Sequence, residues 1–348
     1  MSQFKAAVVG LGGVSPMHTK SLQSLGIQIV SVCDKDPAKA KAVAKEFGAA
    51  EYTNYVEMLD AGGFDVLHIC LPHFLHAPVA VDAMQKGYHV LTEKPMATTI
   101  EDAEKMITAA KENNVCLGVI FQNRYSPGAQ LIKEALESGQ LGPVKGGWIR
   151  VTWHRGEGYY LNSDWRGRWA TEGGGVLINQ SIHSFDMMNY FLGNPTYVSA
   201  SIANRAHPSI EVEDVAEGVI TYGQIPISFF VNTYHPYDAP ASVEIICENG
   251  KAVLVGEDAE IIYNDGRKKA AGADKAAQQQ FGMKSYWGVS HVKQIHDFYR
   301  SAESGKAPAI DGEQGLRTQR LINGIYESAK SGKRVDVSPS STMLPLSM

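Results

Sequence analysis

From Phe4 to Gln122, short apolar runs rich in β-branched residues alternate with longer stretches that repeat alanine and charge at helical spacing. The runs are FKAAVV, IQIVSVC, DVLHICL, HVLT and CLGVIF, with a shorter one near EYTN. Between them lie stretches such as DPAKAKAVAKEF and APVAVDAMQKG. Strands apolar on both faces and separated by amphipathic helices predict a parallel sheet covered on both sides. The first domain is therefore expected to be α/β and doubly wound, over residues 1–123.

The pattern changes after Asn123. A helical stretch, GAQLIKEALESG, precedes a strand, KGGWIRVTW, and the glycine-rich TEGGG leads into a predicted helix, VLINQSIHSFDMMNYFL. Closely spaced β-like runs follow (TYVSASIANR, VAEGVITY, PISFFVNTY, SVEIICENG, KAVLVG, AEIIYN), with turn residues between them. Such spacing favours antiparallel pairing, so residues 124–348 are expected to form an α+β domain with a mainly antiparallel open sheet. Helices are expected over 287–304 and 313–331. GRKKAAGADKAAQQQFG is expected to be a surface excursion or a mobile loop, and SPSSTMLPLSM a loose tail. No internal repeat is visible.

A chain of 348 residues is long for one hydrophobic core, which supports two domains. A net charge of -5, with no long basic run, disfavours nucleic acid or an anionic membrane as partner. The four cysteines show no C-x-x-C spacing, and three lie in or beside apolar runs, as buried free thiols would. With no leader-like segment before the first strand and no apolar run long enough to span a bilayer, a cytoplasmic protein is expected.

Gly10-Leu11-Gly12-Gly13-Val14-Ser15 follows the first strand and opens a helix. Glycine permits a tight turn there and lets backbone approach a pyrophosphate, while the helix N-terminus supplies N–H donors. Ser15 stands where a strict G-x-G-x-x-G has glycine, and its small side chain suits the close packing. Asp34, at the end of the second strand, is placed to accept hydrogen bonds from an adenosine ribose. Its charge would repel a 2′-phosphate, so NAD is favoured over NADP, although Lys35 beside it could partly offset that repulsion. Asp34 capping the helix near Pro37, or simply forming a turn, is the alternative.

Glu93-Lys94-Pro95 follows HVLT on the same predicted sheet. The glycine turn, E-K-P, and a later G-G-G-x(7)-H together resemble the glucose–fructose oxidoreductase and inositol dehydrogenase family (Gfo/Idh/MocA), over nearly the whole chain. The resemblance implies a Rossmann domain with Lys94 in the catalytic site and a cis Lys94–Pro95 bond. It also implies a cofactor-side loop at Leu71-Pro72-His73, with His76, Glu93 and Gln122 nearby. His73 stands where many relatives carry asparagine. His18 completes the family's G-x-G-G-x-x-x-x-H pattern, with a packing role favoured. A metal pair at His73 and His76 is disfavoured, because no nearby carboxylate or cysteine completes it.

His183 maps onto the family's histidine in proton transfer. Asn179, four residues earlier and expected on the same helical face, replaces the acidic residue of D-x-x-x-H. Without that carboxylate a protonated His183 would be less stabilised. Asp186 is placed either to orient His183 or to pack. Gln122, Asn123, Arg124 and Tyr125, at the domain junction, are candidate substrate contacts. So are Tyr160, Trp165 and Arg166 within the cluster Tyr159, Tyr160, Trp165, Arg166, Arg168 and Trp169. Aromatic faces can cover sugar C–H surface, and arginine can donate to hydroxyls. The alternative is a loop anchored by Arg166 or Arg168 pairing with Glu172. Tyr286, Trp287 and His291 are further candidates.

These features point to an NAD-dependent oxidoreductase moving a hydride between nicotinamide and a secondary alcohol of a sugar, glycoside or cyclitol, with C3 of a pyranoside as one option. Lys94 would hold the reacting oxygen and His183 take its proton. A redox-neutral, NAD-dependent glycoside-cleaving hydrolase or lyase and a non-catalytic sensor remain open. The resemblance further implies a homodimer or homotetramer formed through the open face of the second sheet, where ISFFVNTY and SVEIIC are apolar enough to pair.

Overall fold

The computed structural model describes residues 3–272 and 290–341. Tyr286, Trp287, the start of the helix expected from Trp287, most of Gly266–Gly282 and most of the C-terminal tail lie outside the described residues. The chain divides into two compact units: Met1–Phe121 with Ser290–Leu316, and Gln122–Val289 with Arg317–Met348. Where a single cut after Asn123 was expected, contact assigns Ser290–Leu316 to the first unit. The cause is hydrophobic: Ile295, Phe298 and Tyr299 of the helix His291–Glu303 are buried in the same core as Ala6, Val8, Leu22 and Leu91.

In the first unit, β1 (Ala6–Val9), β2 (Ile29–Cys33), β3 (Ala50–Tyr52), β4 (Val66–Ile69), β5 (His89–Thr92) and β6 (Leu117–Val119) form one sheet ordered β3-β2-β1-β4-β5-β6. Every pairing is parallel. β1 and β4 are buried along their whole length, which is why their sequences show no alternation. Because the strands run the same way, the carboxyl ends of β1, β4 and β5 lie side by side. The glycine turn, Leu71-Pro72-His73 and Lys94 all follow those three ends. The strand order reverses between β1 and β4, and ligands of open α/β sheets gather at such a point.

The second unit holds a nine-stranded sheet. Its strands are β7 (Val144–Thr152), β8 (Tyr197–Ala203), β9 (Val215–Tyr222), β10 (Ile225–Asn232), β11 (Ser242–Cys247), β12 (Gly250–Val255), β13 (Asp258–Tyr263), β14 (Lys268–Ala271) and β15 (Val335–Asp336). Their order is β14-β13-β12-β11-β7-β10-β9-β8-β15, antiparallel except for the parallel pair β7 and β10. Alternation in β10 buries Ile227, Phe229 and Val231, and Phe229 meets Phe185 of the helix Ile182–Leu192 with ring centroids 5.2 Å apart. The other face leaves Trp148 and Phe230 each 40% exposed. No helix among the described residues is long and apolar enough to cross a membrane.

Candidate active site

The glycine turn is shaped by two different demands. At Gly10 (φ 84°) an added Cβ would sit 2.6 Å from the Cys70 carbonyl oxygen, so the end of β4 leaves no room for a side chain. At Gly12 and Gly13 an added Cβ would meet nothing within 4 Å. Packing inside the protein therefore does not call for glycine there, whereas close approach by a ligand would. The helix Ser15–Ser24 that follows has no side-chain cap and no acidic residue in its first turn, so its N-terminus is left suited to an anion. Ser15 Oγ donates to Gly12 O at 2.9 Å and closes the turn.

Asp34 accepts a hydrogen bond from Leu11 N at 2.7 Å through one oxygen and from Asp36 N at 2.9 Å through the other. It ties the turn to the end of β2. The cap of the helix Pro37–Phe47 is Asp36, which accepts from Ala38 N, so the capping alternative for Asp34 fails. These residues fit an NAD dinucleotide: a bare backbone cradle, an uncapped helix end and a carboxylate on the adjoining strand. Val14 is half-buried and Lys35 exposed.

Lys94 follows β5, half-buried, with a cis bond to Pro95. Its backbone N–H donates to Glu93 Oε2 at 3.2 Å. Glu93 is only 5% exposed, and its Oε1 lies 3.1 Å from His18 Nε2 and 3.6 Å from His291 Nε2. On the far side of His18, Nδ1 meets His68 Nδ1 at 2.8 Å, and His68 Nε2 meets the Tyr299 hydroxyl at 3.0 Å. Burial pushes the Glu93 pKa up, but His18 and His291 hold it well below the carboxylate range. Burial lowers the His18 pKa, yet Cys70 and Glu93 beside it raise it to about 10. Burial and the His18 charge keep His68 neutral. The protons therefore run one way: His18 donates to Glu93 and to His68, and His68 donates to Tyr299. The buried ion pair anchors the backbone from which Lys94 projects. His18, expected to pack, does so as a charged member of this array.

His76 is fully buried, with Nδ1 2.7 Å from Pro95 O and Nε2 2.7 Å from Leu71 O. It sits between the loop after β4 and the loop after β5; burial lowers its pKa, and the neutral ring can donate its one N–H to only one of the two carbonyls. The expected cofactor contact of His76 thus becomes a positioning role, since both ring nitrogens face carbonyls. Glu93, likewise expected beside the cofactor, is turned inward to the histidines. His73 is 4% exposed, while Leu71 and Pro72 are half-buried on the same loop.

In the second unit the helix expected from Val176 begins only at Ile182. Residues 176–181 form turns, and Gly175 N and Leu177 N donate to the buried Glu213 carboxylate at 2.9 and 3.0 Å. The triple glycine is a packing requirement: a Cβ on Gly174 would collide with the Tyr326 hydroxyl, and one on Gly175 with Glu213 O. Tyr326 OH donates to Glu213 Oε1 at 3.0 Å. Burial raises the Glu213 pKa to about 7 despite these donors.

Asn179 therefore does not share a helical face with His183. It lies in the turn before the helix, half-buried, and its Nδ2 donates to Glu172 Oε1 at 2.5 Å and to the Tyr159 hydroxyl at 3.2 Å. Glu172 is fully buried and also accepts from Gly167 N. The carboxylate absent from position 179 thus stands seven residues earlier, one amide away. His183 is half-buried in the first turn of the helix.

Arg124 is 4% exposed and forms a two-pronged pair with Asp186: Nε to Oδ2 at 2.8 Å and Nη2 to Oδ1 at 2.6 Å. Thr318 donates to the same carboxylate, so Arg124 and Asp186 anchor the His183 helix rather than presenting a free fork. Tyr160 is also displaced from its expected role, because it is buried in a cluster with Ile210 and Val212. Its neighbour Tyr159 meets Asn179 and Gln180, and Arg166 lies across its ring. Asn123, Tyr125, Trp165 and Arg166 are half-buried and Gln122 is buried. Within the first unit, His291 joins the Glu93 array. Glu213 and Gln180 were missed as site residues, Glu172 was read only as an arginine partner, and Tyr159 was read only within the aromatic cluster. The only sequence signal was two glutamates flanking the glycines at long and short range, which carries no unique meaning.

Two family models match in succession: the oxidoreductase family with NAD-binding Rossmann fold over residues 4–121, and the GFO/IDH/MocA C-terminal domain over 129–253. The chain is 26% identical to D-glucoside 3-dehydrogenase of Escherichia coli, covering 97% of this chain and 98% of that protein. It is 27% identical to glucose-6-phosphate 3-dehydrogenase of Bacillus subtilis over 70% of this chain and 71% of the other. The solved WlbA dehydrogenase of Bordetella pertussis, in complex with NADH and UDP-GlcNAcA, aligns with a TM-score of 0.83 and 29% identity, covering 96% of this chain and 98% of that one. With both halves matched in order, the chain belongs to the GFO/IDH/MocA family of NAD-binding oxidoreductases.

Proposed function

We propose that this protein is an NAD-dependent dehydrogenase of a secondary alcohol on a pyranose sugar or glycoside, with C3 as the carbon oxidised. The observation that carries the reading is the carboxyl edge of the first sheet. An open glycine turn after β1 and Lys94 after β5 stand on either side of β4, two strand spacings or about 10 Å apart. The relatives named for sugar 3-dehydrogenation support the choice of carbon.

NAD, when bound, supplies the hydride acceptor. The side chains do the remaining work. Lys94 donates to the reacting oxygen, and its charge favours alkoxide character. His183 accepts the hydroxyl proton. Asn179 carries the influence of the Glu172 carboxylate to that turn without placing a second charge there. Asp34 favours NAD over NADP by repelling a 2′-phosphate.

The exposed face of the second sheet, with Trp148, Phe230, Val219 and Ile246 each about two-fifths exposed, is assigned to pairing with another copy of the chain. Sedimentation should then give a dimer or tetramer, and Phe230→Asp should shift it toward monomer.

The enzymatic reading is tested with cofactor-stripped protein, NAD and NADP supplied separately, and a panel of sugars, glycosides and cyclitols. Reduced NAD and an equimolar keto-sugar are expected with a pyranose class. Sugar cleavage without net reduced cofactor would replace the reading with redox-neutral elimination. Dinucleotide and sugar binding without any product would replace it with a sensor.

A further inference from the structure

Around Tyr159 in the second unit, one cation differs from its neighbours. Arg124 is paired with Asp186 and Arg155 with Asp238. Among the described residues, the Arg166 guanidinium has neither a hydrogen-bond acceptor nor a carboxylate at ion-pair distance. Glu172, the acid expected as its partner, accepts instead from Gly167 N and Asn179 Nδ2. The expected alternative of an Arg166–Glu172 anchor is therefore not what holds this loop.

The guanidinium is nonetheless held firmly. Its Cζ lies 4.4 Å from the centroid of the Tyr159 ring and 4.8 Å from that of Trp165. Two aromatic contacts restrain the plane of the fork. Nε is buried without a partner, while the residue as a whole is half-buried, so the exposed part of the fork is its terminal end.

A neutral donor stands beside it. The Tyr159 hydroxyl and the Gln180 carboxamide meet at 3.3 Å, and Gln180 is only 6% exposed. Asn179 Nδ2 must donate to the Glu172 carboxylate, so that amide also donates to the Tyr159 oxygen. Whichever way round the Gln180 carboxamide lies, the Tyr159–Gln180 pair keeps a hydrogen that no described residue accepts. A partly desolvated cation without a counter-ion is unfavourable by itself. A planar fork beside a spare donor suits the oxygens of a carboxylate or phosphate.

We propose that Arg166 binds an anionic substituent of the substrate, so that the enzyme takes acidic sugars, as uronates or sugar phosphates, in preference to neutral ones. This rests on the reading of the chain as a sugar dehydrogenase.

The test uses the full-length protein with NAD and matched substrates: a methyl glucoside, the corresponding methyl glucuronide, and glucose 6-phosphate. One acidic substrate should exceed the neutral one by roughly 10- to 100-fold in kcat/KM, the range of a charged hydrogen bond. Arg166→Gln should erase that preference through KM, bringing kcat/KM for the acidic and the neutral substrate within about threefold of one another. Arg166→Lys should keep part of it, since charge remains while the planar fork is lost. Whichever acid is preferred tells carboxylate from phosphate. The wild-type ratio needs no variant, and thermal melting reports whether each variant is folded.

A preference for the neutral sugar, or an acidic preference that survives Arg166→Gln, would overturn the assignment and leave the dehydrogenase reading standing. Calorimetric titration of the same acids into NAD-loaded protein separates the two ideas. Arg166-dependent binding without turnover would support the subsite and sink the reaction. Failure of every acid to bind would sink the subsite.

Discussion

Glu93 and Glu213 are both buried glutamates, 5% and 2% exposed, yet they hold their protons very differently. Glu93 sits in the first unit against His18 and His291, which keep it charged, with a pKa well below the ordinary range. Glu213 sits in the second unit and is met by backbone N–H groups and the Tyr326 hydroxyl; its pKa rises to about 7. Burial penalises both carboxylates equally in kind. What separates them is a cationic partner in one case and neutral dipoles in the other. The charged one supports the Lys94 backbone, and the neutral-partnered one shapes the turn that leads to His183.

The largest effect should come from removing the charge of Glu93. Glu93→Gln leaves His18 as a buried cation with no carboxylate, and should destabilise the protein by about 3–5 kcal/mol in denaturant titration. A loss below about 1 kcal/mol would mean the histidines are neutral and the contrast unfounded.

Glu213 should reveal itself through pH. Its folded pKa is raised, so its contribution to stability is present at acid pH and is lost as pH rises toward and through about 7. At roughly 1.4 kcal/mol per pH unit, the loss between pH 5 and 8 should approach about 3 kcal/mol. Glu213→Gln should flatten that part of the profile. It should also lower overall stability by about 1–3 kcal/mol, because an amide N–H replaces one acceptor. Glu93, with its depressed pKa, contributes in the opposite sense: its stabilisation holds at neutral pH and is lost only in strong acid. Tyr326→Phe is the mildest change. Losing one donor to Glu213 should cost about 1–2 kcal/mol and push that carboxyl pKa further up, moving the pH-dependent loss to higher pH.

Much of the first unit was legible in the sequence, because its strands are continuous apolar runs and its turn chemistry is local. Gly10 to Ser15, Asp34 and Lys94 could be placed from the succession of strands together with the glycine-turn and E-K-P motifs. Features that depend on distant partners were not legible. The helix expected from Val176 starts at Ile182, and the turn before it is fastened to Glu213, far along the chain, through the N–H groups of Gly175 and Leu177. Nothing near Asn179 announces that Glu172 carries the missing charge, since either residue alone reads as a turn polar group. Arg124 and Tyr160 look like ligand contacts by type, but Asp186 and the Ile210 cluster claim them. His18 and His291 are separated by most of the chain, so only the packing of the helix His291–Glu303 into the first unit brings both to Glu93.

We propose that Lys94 acts on the reacting oxygen and not on the dinucleotide. The most direct measurement is single-turnover reduction of NAD by Lys94→Ala with the sugar identified from the panel, alongside an NAD binding titration. The account predicts a loss of at least about 100-fold in the hydride-transfer rate with the NAD dissociation constant within about threefold of wild type. A hydride-transfer rate near that of wild type, or a loss explained wholly by weaker NAD binding, would contradict it.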